Sequence, residues 1–156
     1  MTRNGRLTLL GVSLFVLLFV PSRSDAACTI TTSGLVFGPY NVFNVSAVSS
    51  TGSVTYRCGL LEALFGTVTV TLSTGQSGTY TPRAMKKDVE PLSYNLYLDA
   101  AATSVWGNGT GGTQVYSRSN PPYNTNVNLT VYGKLPPGQD VRAGTYTDTV
   151  AVTINF

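Results

Sequence analysis

The sequence predicts an all-β chain, a single antiparallel sandwich, on three observations. Short runs alternate apolar and polar residues with the two-residue period of half-buried strands. Thr, Val and Tyr fill those runs, and clusters of Gly, Pro, Asn and Ser interrupt them. Beyond the first residues, no stretch sustains the 3.6-residue apolar period of a long helix.

The N-terminus reads as a targeting segment. Arg3 and Arg6 precede an almost purely apolar run over residues 7–20, then Pro21 and small residues, with cleavage expected after Ala26. The apolar run is about 14 residues, short of the roughly 20 that span a bilayer as a helix. The expected division is therefore a signal peptide at 1–26 and one domain at 27–156. The full chain carries 10 Lys+Arg against 7 Asp+Glu. Arg3, Arg6, Arg23 and Asp25 leave with the signal, so 7 basic groups face 6 acidic ones. That near-balance gives no support to nucleic-acid binding.

Along the domain, residues 35–45 carry Leu35, Phe37, Val42 and Phe43, broken by a turn at Gly38-Pro39. Val54, Tyr56 and Cys58 alternate next, and then Val68, Val70 and Leu72 oppose Thr67, Thr69 and Thr71. Leu92, Tyr94, Leu96 and Leu98 form a further row, followed by Val127, Leu129 and Val131. The last run, residues 145–156, puts Val150, Val152, Ile154 and Phe156 on one face and Thr149, Ala151, Thr153 and Asn155 on the other. These are six strands, with short additions expected near 73–80 and 114–117. The final run ends on a core-type Phe, so its free edge or buried face is expected to need a partner.

The connections carry their own signals. Residues 106–112 are a Gly-dense turn, and the Pro pairs at 121–122 and 136–137 cannot continue a ladder. Leu60, Leu61, Leu64 and Phe65 form an apolar, helix-like stretch with two readings. It is either a short cap with Leu61 and Phe65 buried, or an exposed patch that touches a surface or partner. Cys28 and Cys58 are the chain's two cysteines, and in an oxidising compartment they are expected to pair. Closing that loop contributes roughly 3–4 kcal/mol by the chain-entropy argument.

Catalytic chemistry is thinly supplied. The chain has no His, which removes the commonest general base and metal ligand. Asp88 and Glu90 lie beside Lys86 and Lys87 and read as a solvated charge cluster, while Glu62, Asp99, Asp140 and Asp148 stand singly. The glycines after Trp106 neither follow a strand nor open a helix, so no phosphate cradle is indicated. Asn-X-Ser/Thr triplets at Asn44, Asn108 and Asn128 carry no weight in a chain so rich in Asn and Thr. The expectation is a non-enzyme, with no metal and no cofactor. Trp106 has two readings, a packing plug or, with Tyr116, Tyr123 and Tyr132, a sugar-stacking surface.

The order of several motifs resembles the spore coat protein U domain family, which includes secreted coat proteins and archaic chaperone–usher pilus subunits. They are Cys28, Val36-Phe37-Gly38-Pro39-Tyr40, Cys58, Arg83-Ala84-Met85 and the run 92–99. Val105-Trp106-Gly107-Asn108-Gly109, Val131-Tyr132-Gly133, Pro136 and the run 144–150 complete the pattern over the whole domain. The resemblance implies an immunoglobulin-like sandwich lacking its final strand. It also implies an acceptor groove, here Val150, Val152, Ile154 and Phe156, filled by a periplasmic chaperone and later by a neighbouring pilin subunit at an outer-membrane usher. Cleavage after Ala26 leaves only Ala27 ahead of Cys28, so no donor strand is expected. The implied roles are a pilus tip, touching abiotic or host surfaces, or a non-polymerising surface coat. The competing function is a self-complete carbohydrate- or surface-binding module.

Overall fold

The computed structural model describes residues 28–156. The expected signal peptide lies outside them. Eight strands and one short helix follow in order: β1 (Cys28–Ser33), β2 (Val48–Cys58), α1 (Leu60–Phe65), β3 (Thr67–Leu72), β4 (Arg83–Lys87), β5 (Glu90–Tyr97), β6 (Tyr116–Ser119), β7 (Val127–Leu135) and β8 (Val152–Asn155). They form a five-stranded sheet, β1-β2-β7-β5-β4, and a three-stranded sheet, β6-β3-β8. Every strand pairing is antiparallel. The all-β, immunoglobulin-like sandwich is therefore as the sequence predicted.

The inward faces meet in one core. Val54 and Tyr56 of β2, Val68, Val70 and Leu72 of β3, Leu92, Tyr94 and Leu96 of β5, and Val131 and Leu135 of β7 are all buried within it. The expected disulfide forms between Cys28 and Cys58, which also face each other in the β1–β2 register. Trp106 is fully buried, and its indole N–H donates to Val70 O at 2.9 Å while its backbone N–H donates to Leu96 O at 2.9 Å. It ties β3 to β5 across the sandwich and is the packing plug. The sugar-stacking reading of Trp106 is thus excluded, because no face of the ring reaches solvent. Tyr116 is also engaged, sharing a 3.1 Å hydrogen bond with the Tyr56 hydroxyl.

Three sequence expectations require correction. Residues 35–45 form no strand. Leu35 and Phe37 do pack against the core and Val36 is exposed, but Gly38 takes φ 75° and the backbone has no ladder partner. The run expected near 73–80 is a 3₁₀ turn at Gly75–Ser77, and the strand lies later, at β4. Helix α1 buries none of its residues. Leu61 is 69% and Phe65 84% exposed, against the reading that buries them. The helix is held by its backbone instead: Asn120 Nδ2 donates to Leu64 O at 2.6 Å and Asn120 N to Gly66 O at 2.9 Å.

Candidate functional site

The two sheets do not close along one side. A cavity of about 1230 Å³ opens there, with its floor in the core at Leu72, Leu92, Tyr94, Leu96, Val131 and Leu135. One wall is the end of β1 and the segment 34–42; the other is the segment 141–150 with Val152. β1 ends the five-stranded sheet and β8 ends the three-stranded one, so each wall carries a strand edge without a sheet neighbour.

The C-terminal wall has the chemistry of a strand edge. Thr147 exchanges both backbone hydrogen bonds with Lys86, at 2.8 and 3.1 Å, and Ala151 O accepts from Ser73 N at 2.9 Å. The β3–β8 register continues from there, with Thr71 opposite Thr153 and Thr69 opposite Asn155. Odd-numbered residues therefore point their peptide groups at β4 and β3. By the alternation of an antiparallel ladder, Val150, Val152 and Ile154 point theirs the other way, at the cleft edge. The same three side chains turn inward and pack on the core.

The opposite wall is fixed by side chains. Leu35 and Phe37 lie over Gly133 of β7, where a Cβ would sit 2.6 Å from Leu35 Cδ1 and 2.9 Å from Phe37 Cζ. Phe37 also meets the Tyr94 ring edge-on at 5.8 Å. The Tyr40 hydroxyl donates to Pro136 O at 3.1 Å and accepts from Gln139 N at 2.9 Å. Glycine at 133 is thus needed for close approach, and its absent side chain makes room for the wall.

One end of the floor is polar. The Tyr94 hydroxyl donates to Asp148 Oδ2 at 2.7 Å, while Oδ1 accepts from Gln76 N and Thr149 N, each at 2.7 Å. Burial, with the hydrogen bond to that carboxylate, pushes the Tyr94 phenol well above its usual range. Arg83 lies deeper and is fully buried, donating to Ser73 O, Asn95 Oδ1 and Trp106 O at 2.7–3.0 Å. Burial lowers its pKa, with Tyr94, Tyr80 and Asp148 pulling the other way. Sequence reasoning treated Asp148 as a lone acid. Its signal was there: Asp148 is an even-numbered residue, in phase with Val150, Val152 and Ile154, so its carboxylate had to face inward and find donors.

Of the four residues the sequence assigned to a groove, Val150 and Val152 line the cleft. Ile154 packs on the core opposite Val70, and Phe156 is 52% exposed beyond the last pair. The remaining lining comes from β1, the segment after it, β5 and β7, which no local pattern links to the C-terminal run. Among the described residues, no three His, Cys, Asp or Glu side chains gather where they would hold a metal ion.

A family model described as the Spore Coat Protein U domain matches residues 14–153. The chain belongs to the Spore Coat Protein U domain family. It is 33% identical over 143 residues to Protein U of Myxococcus xanthus, covering 83% of this chain and 78% of that protein. Its fold is similar to one chain of the crystal structure of the CsuC–CsuE chaperone–tip adhesion subunit pre-assembly complex, from archaic chaperone–usher Csu pili of Acinetobacter baumannii. The TM-score is 0.52 and the identity 27%, over 83% of this chain but only 39% of that one. The Spore Coat Protein U domain here thus presents an open apolar cleft between two sheet edges.

Proposed function

We propose that this chain is a secreted structural or adhesive subunit of a chaperone–usher type pilus or surface coat, completed by a β-strand from another protein. The observation that carries the reading is the cleft, a core floor left open between two unpaired strand edges. An inserted strand would pair with the peptide groups of Val150, Val152 and Ile154, and its alternate side chains would cover Leu72, Leu96 and Val131. Four such side chains contribute about 6–12 kcal/mol before ordering costs. That is the scale of a small domain's whole stability.

Family membership and the pilus-related neighbour support the partner classes: a periplasmic chaperone first, then a neighbouring subunit, with an outer-membrane usher between. In this reading the signal at 1–26 sends the chain through the Sec route to the periplasm and then the cell surface. Cleavage after Ala26 would leave a subunit that receives a strand and gives none, suiting a terminal or coat position. Leu60, Leu61, Leu64 and Phe65 are its proposed contact with an abiotic or host surface.

The test is expression in a periplasm with and without a pilus chaperone from the same genome. The expected result is a one-to-one complex with the chaperone, low yield without it, and loss of the complex in Val152→Arg. A stable monomer recovered in equal yield without any chaperone would refute the reading.

A further inference from the structure

The outer face of the five-stranded sheet, on the other side from the cleft, carries a second constellation. Thr51 of β2, Tyr132 of β7 and Tyr97 of β5 stand directly opposite one another across three strands. Directly opposed residues share a face, so the two tyrosines form one aromatic shelf. Ser49 and Lys134 make the next row on one side, and Ser53 and Thr130 the next on the other. Every outward position of β2 from Ser49 to Arg57, and of β7 from Asn128 to Lys134, is Ser, Thr, Asn, Tyr or a cation. None is a carboxylate.

A shallow cavity of about 300 Å³ lies on this shelf, bounded by Ala100 and Ala102 of the loop after β5. Its size is at the small end of ligand sites. Nearby Ser50 and Thr55 direct their hydroxyls to Val36 O and to the Asn128 side chain. Among the described residues, the hydroxyls of Tyr97, Tyr132 and Thr51 have no such partner, and Lys134 is exposed with no ion pair. Partly exposed rings beside free hydroxyls and one cation match a ligand with apolar ring faces, edge hydroxyls and a carboxylate. The face is too polar for an apolar protein interface and too weakly basic for nucleic acid.

We propose that this face binds a polysaccharide, with the tyrosine pair under a sugar ring and Lys134 on a uronate carboxylate. The proposal is independent of strand insertion, since it uses the outward face of β2, β5 and β7 and the cleft uses the inward one.

Calorimetric titration of the secreted chain, with whatever strand partner it carries, tests it with two probes: alginate oligosaccharides and neutral cello-oligosaccharides. Both are expected to bind, the uronate oligomer several-fold more tightly. Tyr132→Ala weakens both by roughly tenfold or more. Thr51→Arg, at an exposed strand position that leaves the core untouched, does the same by filling the cavity. Lys134→Gln removes the preference for the uronate and leaves neutral binding unchanged. The proposal is overturned if neither oligomer binds at millimolar concentration, or if Thr51→Arg, folded by circular dichroism, binds as tightly as the parent. Equal affinity for the two oligomers, or a uronate preference that survives Lys134→Gln, overturns the uronate assignment.

Discussion

Replacing Arg83 with Met is expected to lower folding stability by about 2–4 kcal/mol while nearly preserving side-chain length. The guanidinium is fully buried and, among the described residues, pairs with no carboxylate; all its acceptors are neutral. Its Nε and one Nη donate to Ser73 O at 3.0 and 2.9 Å, and that same Nη reaches Trp106 O at 2.7 Å. Met would leave the buried Trp106 O and the part-buried Ser73 O without these donors, at about 1–3 kcal/mol each. Asn95 Oδ1 would keep its bond from Leu96 N at 2.9 Å. Relief of the buried cation offsets part of the loss, since burial disfavours the charged form. The assay is denaturant unfolding with the disulfide intact and any strand partner saturating in both proteins, because a bound partner adds stability by mass action. Arg83→Lys should fall between, as one ammonium cannot span three separated acceptors. A change below about 1 kcal/mol in Arg83→Met would show that the guanidinium does not hold β4, the turn at Ser73 and the Trp106 loop together.

Four further outcomes follow from the geometry. Asp99 accepts from Thr103 N, Ser104 N and the Thr103 hydroxyl, which hold its carboxyl below the usual carboxylate range. The sign follows: this contribution is full above the unfolded-state pKa and lost as pH falls through the lowered folded value. Protection of the Thr103 and Ser104 amides, measured against the intrinsic exchange rate at each pH, should therefore be high at neutral pH and fall only in acid below the ordinary Asp range. Gly133→Ala should cost about 1–3 kcal/mol and weaken partner binding, since the new Cβ meets Leu35 and Phe37 of the cleft wall; chemical unfolding and a partner titration measure both. Replacing Cys28 and Cys58 together by Ser should remove roughly 3–4 kcal/mol, read as a lower denaturation midpoint. Leu61→Asp with Phe65→Ser should leave stability within about 0.5 kcal/mol, because both sites are exposed, while reducing retention on a hydrophobic resin.

Strands whose inward positions are all apolar were legible in the sequence. β3 is the clearest, with Val68, Val70 and Leu72 at 0–2% exposure against three threonines. β4 was hidden because Met85 is its one apolar inward residue and the other inward one is Arg83, whose burial depends on acceptors far along the chain. The first half of β2 was missed for a similar reason: Ser50 bonds to Val36 O, and Gly52 lies against Ser33 and Leu35, so neither contributes an apolar signal. Residues 35–45 show the opposite error. Their alternation correctly reports that Leu35 and Phe37 face the core, but periodicity does not say whether a backbone has a partner. The cleft was legible on one wall, at Val150 and Val152. Its other wall and floor depend on Gly133 and on which strands sit at the sheet edges, and both are matters of topology.

The most direct test of strand acceptance is amide hydrogen exchange along β8 with and without a synthetic decapeptide of alternating Val, Ile and Thr. Strand insertion predicts new protection at Val150, Val152 and Ile154, whose N–H groups face the cleft, and little change at Thr153, already paired with β3. Unchanged exchange at Val152 and Ile154 under saturating peptide would contradict it.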